Sequence, residues 1–195
     1  METEKTTKKL WIVLFCVCFL FIIFTIIGFT FFLNRKPEIV KEQLDGGLVD
    51  LSYTSDSSYL SINGALPTAD EVGMTNNNEG GFFDFSVYTE LDDAKTITYE
   101  LSIKKVSGNV SDDDIIIYLE KEDSGTYSPI LKPTSYKPLK KDSKLGTKKN
   151  SMLLIREENN KSVVNNYRLR TWINDKSTIS NGNYQLEINI IAKAK

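Results

Sequence analysis

One uncharged apolar run near the amino terminus constrains this chain more than any other feature. Residues 10–33 read LWIVLFCVCFLFIIFTIIGFTFFL, and only Thr25, Gly28 and Thr30 interrupt their apolar character. As an α-helix at about 1.5 Å per residue the run is about 36 Å long, whereas the hydrocarbon core of a bilayer is about 30 Å thick. The sequence therefore predicts a single transmembrane helix over residues 10–33, which places the protein in a cell membrane.

The alternatives to a retained helix fit this run less well. A secretory signal peptide has an apolar region of about 7–15 residues and ends at a small-x-small cleavage site, and this run is longer and has no such site. A lipoprotein signal needs a small residue before its cysteine, but Phe15 precedes Cys16 and Val17 precedes Cys18. We therefore expect the helix to remain part of the protein.

The orientation follows from the lengths of the flanking segments, because the flanking charges are nearly balanced. Lys5, Lys8 and Lys9 precede the run, and Arg35, Lys36 and Lys41 follow it. A short tail stays in the cytoplasm, whereas a long following domain is translocated largely regardless of its charge. We predict a cytoplasmic tail over residues 1–9, a stalk over residues 34–47 and an extracellular domain over residues 48–195. Within the stalk, Pro37 and the glycines after Asp45 favour a short helix over residues 38–44.

From residue 48 onward the hydrophobic pattern has a period of two. In residues 95–104, KTITYELSIK, apolar and polar side chains alternate, which is typical of a half-buried β-strand. Eight strands are predicted, over residues 49–53, 59–63, 83–88, 95–104, 115–121, 152–156, 167–174 and 184–192. Many short strands separated by Gly, Pro, Asn and Asp predict an all-β fold, an antiparallel two-sheet sandwich of jelly-roll or Ig-like type.

The connections between these strands carry three further predictions. The turn sequence Asn181-Gly182-Asn183 predicts a hairpin between the last two strands. Residues 66–81 and 132–149 are predicted to be loops, because they are polar and the second contains Pro133 and Pro138.

The composition excludes several classes of active site. The chain has no histidine, which excludes histidine-based nucleophilic triads and histidine-ligated zinc. Both cysteines lie in the apolar run, so the predicted domain has no thiol. The net charge of -2 gives no global field for a nucleic acid. We expect a protein that is not an enzyme, with no catalytic or metal-binding residues, no cofactor and no nucleic-acid partner.

The sharpest candidate binding site is the lysine segment, residues 132–149 (KPTSYKPLKKDSKLGTKK). It contains seven lysines and only one acidic residue, Asp142. The seven are Lys132, Lys137, Lys140, Lys141, Lys144, Lys148 and Lys149. Outside a cell this charge can hold an anionic wall polymer, a polysaccharide or lipid head groups. The alternative is a solvated loop whose lysines protect a neighbouring strand edge from pairing.

Two smaller clusters have both a functional and a structural interpretation. Asp112, Asp113 and Asp114, like Asp92 and Asp93, lack the spacing of an EF-hand calcium loop, and a turn explains them. In the predicted strand 167–174, Arg168, Arg170 and Trp172 share one face. They form either an exposed surface patch for a ligand or a cation–π cluster on the outside of the sandwich.

Several stretches carry a resemblance to a known group of proteins. They are residues 60–67 (LSINGALP), 70–73 (DEVG), 83–87 (FDFSV), 98–101 (TYEL) and 167–173 (YRLRTWI). Together they resemble uncharacterised single-span surface proteins of AT-rich, Gram-positive-type bacteria, and are more distantly similar to the camelysin-like biofilm fibre subunits. The resemblance implies a jelly-roll-type β-sandwich and no catalytic residue.

The leading functional prediction is a membrane-anchored surface protein that displays a β-sandwich for adhesion or for envelope or fibre assembly. Its expected partners are the lipid bilayer and an anionic wall polymer or another surface protein. The alternative is an accessory or scaffold subunit of a membrane complex, in which Thr25, Gly28 and Thr30 form a stripe of small residues that contacts a second helix. A hydrolase of wall glycans rests only on available carboxylates, and strand exchange rests on the position of the predicted strand 184–192 close to residue 195.

Overall fold

The computed structural model describes residues 19, 39–53, 59–77, 81–139, 143–146 and 150–195. The fold below is that of the unit formed by residues 37–195, which is distinct from residues 1–36. Within the described ranges, no helix is long and apolar enough to cross a membrane. The predicted transmembrane helix, with Thr25, Gly28 and Thr30, lies outside the described residues except for Phe19.

Eleven strands and one short helix make up the described part of residues 37–195. In chain order they are β1 (Ile39–Leu44), β2 (Gly47–Tyr53), β3 (Tyr59–Ala65), β4 (Pro67–Thr68), α1 (Asp70–Thr75), β5 (Phe83–Leu91), β6 (Ile97–Gly108), β7 (Ile115–Asp123), β8 (Thr126–Ser135), β9 (Met152–Asn159), β10 (Val163–Asn174) and β11 (Gly182–Ala194). Each of the eight predicted strands is present, and the predicted all-β class is confirmed.

The strands form two sheets, which we call sheet A and sheet B. Sheet A has the order β1-β2-β5-β10-β7-β8, and β4 also pairs with β10. Sheet B has the order β3-β11-β6-β9. The pairs are antiparallel apart from the short parallel pair of β4 with β10. The structure is therefore a mostly antiparallel, two-sheet β protein.

The hydrophobic core consists of the alternate side chains along each strand. In β5, Phe83, Phe85 and Val87 are buried and the residues between them are partly exposed. One core cluster includes residues of β2, β5, β7 and β10 from sheet A and of β6 and β11 from sheet B. Burying one face of each strand sets its register, because a shift of one residue would turn every apolar side chain to the opposite face.

The predicted helix over residues 38–44 is wrong, because residues 39–44 form β1. Strand β1 pairs antiparallel with β2, and Leu44 lies opposite Gly47 across the two-residue turn Asp45-Gly46. Asp-Gly is a favoured two-residue hairpin turn, and the φ of +89° at Gly46 belongs to the left-handed region that such a turn requires. The β structure therefore begins at residue 39, inside the predicted stalk.

The predicted terminal hairpin is also wrong. Strand β10 belongs to sheet A and β11 to sheet B, so residues 175–181 cross from one sheet to the other. In sheet B, β11 pairs with β3 on one side and with β6 on the other. The strand is therefore internal to its sheet over residues 184–187, whereas residues 188–194 pair with β6 alone among the described strands. Strand exchange through β11 stays a prediction.

Both predicted loops contain secondary structure. Residues 66–81 include β4 and α1, and the first four residues of the lysine segment belong to β8. Strand β8 contains Pro129 and Pro133, and among the described strands it pairs with β7 alone, at the edge of sheet A. A proline is tolerated at a sheet edge, because its missing N–H there faces away from the sheet.

Candidate functional site

The structure describes three of the seven lysines of the lysine segment. Lys132 is exposed on β8, and the exposed Lys137 and Lys144 lie in the residues that follow this strand. The Lys137 ammonium lies 2.7 Å from Asp113, and this hydrogen bond raises the pKa of Lys137. Lys140, Lys141, Lys148 and Lys149 lie outside the described residues. The three described lysines are therefore exposed, and the charge of Lys137 is paired with that of Asp113.

A buried carboxylate on sheet B fastens the lysine segment. Glu100 lies on β6 between the core residues Tyr99 and Leu101, so its side chain points to the outer face of sheet B. It is nevertheless fully buried, with 0% of its side chain exposed. The side chain of Ser143 and the backbone amides of Lys144 (3.0 Å) and Leu145 (3.4 Å) donate hydrogen bonds to it. We call Glu100 and these donors, together with Arg156, the Glu100 anchor.

Arg156 supplies the countercharge in the Glu100 anchor. It lies opposite Glu100 on the neighbouring strand β9. Its Nε and Nη2 atoms are 2.7 Å and 2.5 Å from the Glu100 Oε1 atom. Burial raises the pKa of Glu100, but the hydrogen bonds from Ser143, Arg156 and the two amides together hold this pKa below its ordinary value. The carboxylate is therefore ionised at neutral pH, and its charge holds residues 143–145 against the sheet.

The acidic clusters are occupied by bonds within the domain. Asp112 pairs with Lys105 at 2.9 Å, and Asp113 pairs with Lys137. Asp114 accepts a hydrogen bond of 2.8 Å from the Ser177 hydroxyl. Asp92 and Asp93 are exposed beside the β1–β2 turn, where the Asp92 amide donates to the carbonyl of Gly46. No group of three metal-ligating side chains occurs in the part of the chain that the structure describes.

Arg168, Arg170 and Trp172 lie on the outer face of sheet A as predicted, but they do not form an exposed patch. Arg170 is 4% exposed and Trp172 is 6% exposed. The covering residues are those of α1 and the chain that follows it. Arg170 donates to Glu120 at 2.9 Å, to the carbonyl of Asn76 and to the Asn77 side chain at 3.0 Å. The sequence pattern correctly predicts the face, whereas the cover comes from a segment predicted to be a loop.

Arg168 and Trp172 also bind other side chains of the domain. Arg168 forms a two-point salt bridge with Asp84, with both N–O distances at 2.8 Å. Its guanidinium carbon also lies 4.1 Å from the ring centroid of Phe82 and 4.3 Å from that of Tyr127. The indole N–H of Trp172 donates to Asp70 at 3.0 Å. The arginines therefore make cation–π contacts with Phe82 and Tyr127 and ion pairs with Asp84 and Glu120, and the cation–π partners are not the tryptophan of the predicted cluster.

Sequence reasoning missed a buried polar network between the sheets. The hydroxyls of Tyr99 and Tyr167 are 2.5 Å apart, and Asn165 donates to Tyr99 at 2.9 Å. Glu157 pairs with Lys121 at the edge of this network. Burial raises the pKa of both tyrosines far above the ordinary value, so both hydroxyls remain protonated. The sequence contains one signal for this network, because each tyrosine falls on the same face of its strand as the aliphatic core residues.

No protein-family model, curated protein or solved structure matches the chain.

Proposed function

We propose that the chain is a non-enzymatic surface protein of the cell membrane whose β domain binds an anionic wall polymer through the lysine segment. Its role is adhesion or the assembly of the envelope or of surface fibres. In this proposal residues 10–33 anchor the protein, residues 1–9 lie in the cytoplasm, and the β domain faces the exterior.

The observation that carries the proposal is the Glu100 anchor. A carboxylate with no exposed surface is held by three donors from residues 143–145 and by Arg156. Burying a charge is costly unless it is paired and hydrogen-bonded, so this arrangement makes a defined attachment point for the segment. A fixed segment loses less conformational entropy on binding than a free one, which favours binding by surface lysines.

The other charged side chains support a structural role for the rest of the domain. Arg168 and Arg170 bind Asp84 and Glu120 beneath the chain that follows α1. Lys105 and Lys121 are likewise paired within the domain. These groups hold covering segments and strand ends together, whereas Lys132 and Lys144 point their charges outward. In this proposal a polymer of phosphate or carboxylate groups binds several lysines of the segment together.

For the finer fold we propose the jelly-roll rather than the Ig-like type. The chain changes sheet at each step from β8 through β9 and β10 to β11, whereas β1–β2, β4–β5 and β7–β8 each stay within sheet A. This preference agrees with the fold implied by the resemblance to the camelysin-like subunits, which stays part of the proposal.

Polymer binding by matched lysine variants tests the proposal. The full chain in detergent micelles is titrated with poly(glycerol phosphate) at low and at physiological salt, and the same titration is run on K132Q/K137Q/K144Q. The control is K104Q/K161Q/K193Q, which removes the same charge outside the segment. We expect a large loss of affinity for the first variant, little change for the control, and weaker binding at higher salt. Equal losses for the two variants, or no binding by the unaltered chain, would contradict the proposal.

A further inference from the structure

Sheet A has a gap beside β10. On one side, β7 pairs with β10 continuously from Tyr167 to Ile173. On the other side, β5 pairs with β10 only as far as Leu169, and the pairing of β4 with β10 begins at Ile173. Among the described residues, no strand pairs with residues 170–172 on this second side. The interruption opens the sheet over about three residues.

A cleft of about 180 Å³ occupies this gap, and we call it the β10 cleft. Trp172 and Gly73 line it from the outer face of the sheet, whereas Thr171 and Tyr184 line it from the inner face. Ile62 and Ala65 add aliphatic walls. Leu66, which is 61% exposed, lies where the cleft meets solvent. The gap explains why one cleft contacts both faces of the sheet.

The polar part of the cleft is a pair of hydroxyls with a spare hydrogen. The Thr171 and Tyr184 hydroxyl oxygens are 3.1 Å apart, and either can be the donor. Each hydroxyl has one hydrogen, so one of the two hydrogens is used in this bond and the other has no acceptor among the described residues. Burial raises the pKa of Tyr184 to about 12, so this hydroxyl stays protonated. The cleft therefore offers this hydroxyl hydrogen as a donor beside its apolar residues, and Thr68 and Asn76 also line it.

The size of the cleft limits what it can hold. An apolar cavity of about 150 Å³ accepts a benzene molecule, whereas pockets for larger organic ligands start at about 300 Å³. A volume of about 180 Å³ matches one six-membered ring with a small substituent. Trp172, which is 6% exposed and packs against Gly73 of α1, contributes part of the wall beside which such a ring can lie.

We propose that the β10 cleft binds a phenol-sized ring that carries one neutral oxygen, with the ring against Trp172 and the oxygen accepting the spare hydrogen of the Thr171–Tyr184 pair. This site is independent of the lysine segment and of polymer binding. Two sources supply such a group: a free small phenol, or the side chain of a tyrosine in a partner polypeptide.

Nuclear magnetic resonance of the Trp172 indole tests the proposal. The chain has two tryptophans, so the full-length W11F variant in detergent micelles, labelled with ¹⁵N-tryptophan, gives one indole signal. We expect p-cresol to shift this signal saturably and toluene, which lacks the oxygen, to bind about fivefold more weakly. In T171V/Y184F, which replaces both hydroxyls by groups of similar shape and should fold, p-cresol and toluene should bind equally. Y53F is the control for loss of a buried tyrosine hydroxyl elsewhere and should keep the preference.

The outcomes separate the proposal from its alternatives. A65L narrows the cleft and should abolish the shift, while T171V/Y184F decides the matter alone if A65L does not fold. Equal binding of N-acetyltyrosinamide and p-cresol identifies a tyrosine of a polypeptide as the source, and binding of p-cresol alone identifies a free phenol. An unsaturable shift, the same shift in folded A65L, or a cresol preference that survives in T171V/Y184F would overturn the proposal.

Discussion

Single charged residues hold the covering segments onto the two sheets. On sheet B, Glu100 binds residues 143–145, and on sheet A, Arg170 binds Asn76 and Asn77. Both side chains are buried, and each is paired with an opposite charge. Removing one partner of such a pair costs more than the pair itself contributes, because the other group remains without its countercharge.

At this scale we predict that Glu100→Gln loosens the lysine segment. The neutral amide loses the charge-assisted hydrogen bonds from Arg156 and from residues 143–145, so we expect a loss of about 1–3 kcal/mol in the free energy of unfolding. Thermal unfolding followed by circular dichroism measures the stability, and hydrogen exchange at the Lys144 and Leu145 amides measures the attachment. Glu158→Gln, at an exposed position of β9, should stay within about 0.5 kcal/mol of the unaltered chain. Unchanged exchange at these two amides would contradict a tethering role.

The same substitution gives a pH dependence with a defined sign. The pKa of Glu100 is lower in the folded chain than its ordinary value of 4.5, so its stabilisation is complete above about pH 4.5 and is lost as the pH falls through the folded pKa. We therefore expect the stability difference between the unaltered chain and Glu100→Gln to shrink between about pH 5 and about pH 2. Burial raises the pKa of Glu42, which acts in the opposite direction, and the comparison of two variants at each pH cancels that contribution. A difference that is constant over this range would contradict the assignment.

Among the elements, α1 depends on one glycine where it crosses sheet A. A Cβ atom built on Gly73 would lie 2.3 Å from the ring of Trp172, which is closer than real contacts. The helix therefore packs directly on the indole, and residues 76 and 77 follow it over Arg170.

We predict that Gly73→Ala destabilises the domain although alanine favours helices. The overpacking cost is about 1–3 kcal/mol, which exceeds the gain of up to about 1 kcal/mol in helix propensity. The expected result is a lower unfolding temperature and a red shift in Trp172 fluorescence, measured with Trp11 replaced by Phe. Val72→Ala, at a residue that is 58% exposed in the same helix, should change neither quantity appreciably. A stabilised Gly73→Ala variant would show that α1 does not pack on Trp172 in this way.

The elements also show which parts of the fold were predictable from the sequence. Alternation identified strands such as β5, because burying Phe83, Phe85 and Val87 on one face leaves a local pattern. Pairing was less predictable, since a turn such as Asn181–Asn183 has the same composition in a hairpin and in a crossover. Glycine likewise ends helices and forms hairpin turns, so the glycines after Asp45 predict a helix where β1 lies. Strand β8 is not among the predicted strands, because only the tertiary structure reveals that its prolines lie at an edge.

The candidate site was predictable only where its signal is local. A run of lysines is visible in the sequence, and the described lysines are exposed. The role of Glu100 was not visible in the sequence, because its donor Ser143 lies 43 residues away. In the alternating pattern of its strand, Glu100 occupies a polar position like that of any solvent-exposed residue. The burial of Arg170 depends in the same way on residues 93 and 94 positions away.

As a whole, the molecule that we propose consists of a membrane anchor and a domain whose β-sheets carry exposed lysines. Strand β11 pairs with both β3 and β6 over residues 184–187, whereas residues 188–194 pair with β6 alone among the described strands. The outward chemistry that we propose for the domain depends on surface residues such as Lys132 and Lys144.

Labelling of lysines on intact cells tests the central claim of surface display most directly. Cells that express the chain are treated with a membrane-impermeant amine reagent before or after lysis, and modified residues are identified by mass spectrometry. The account predicts equal modification of Lys132 and Lys144 in intact and lysed cells, and modification of Lys5, Lys8 and Lys9 only after lysis. Protection of Lys132 and Lys144 until the cells are lysed would contradict it.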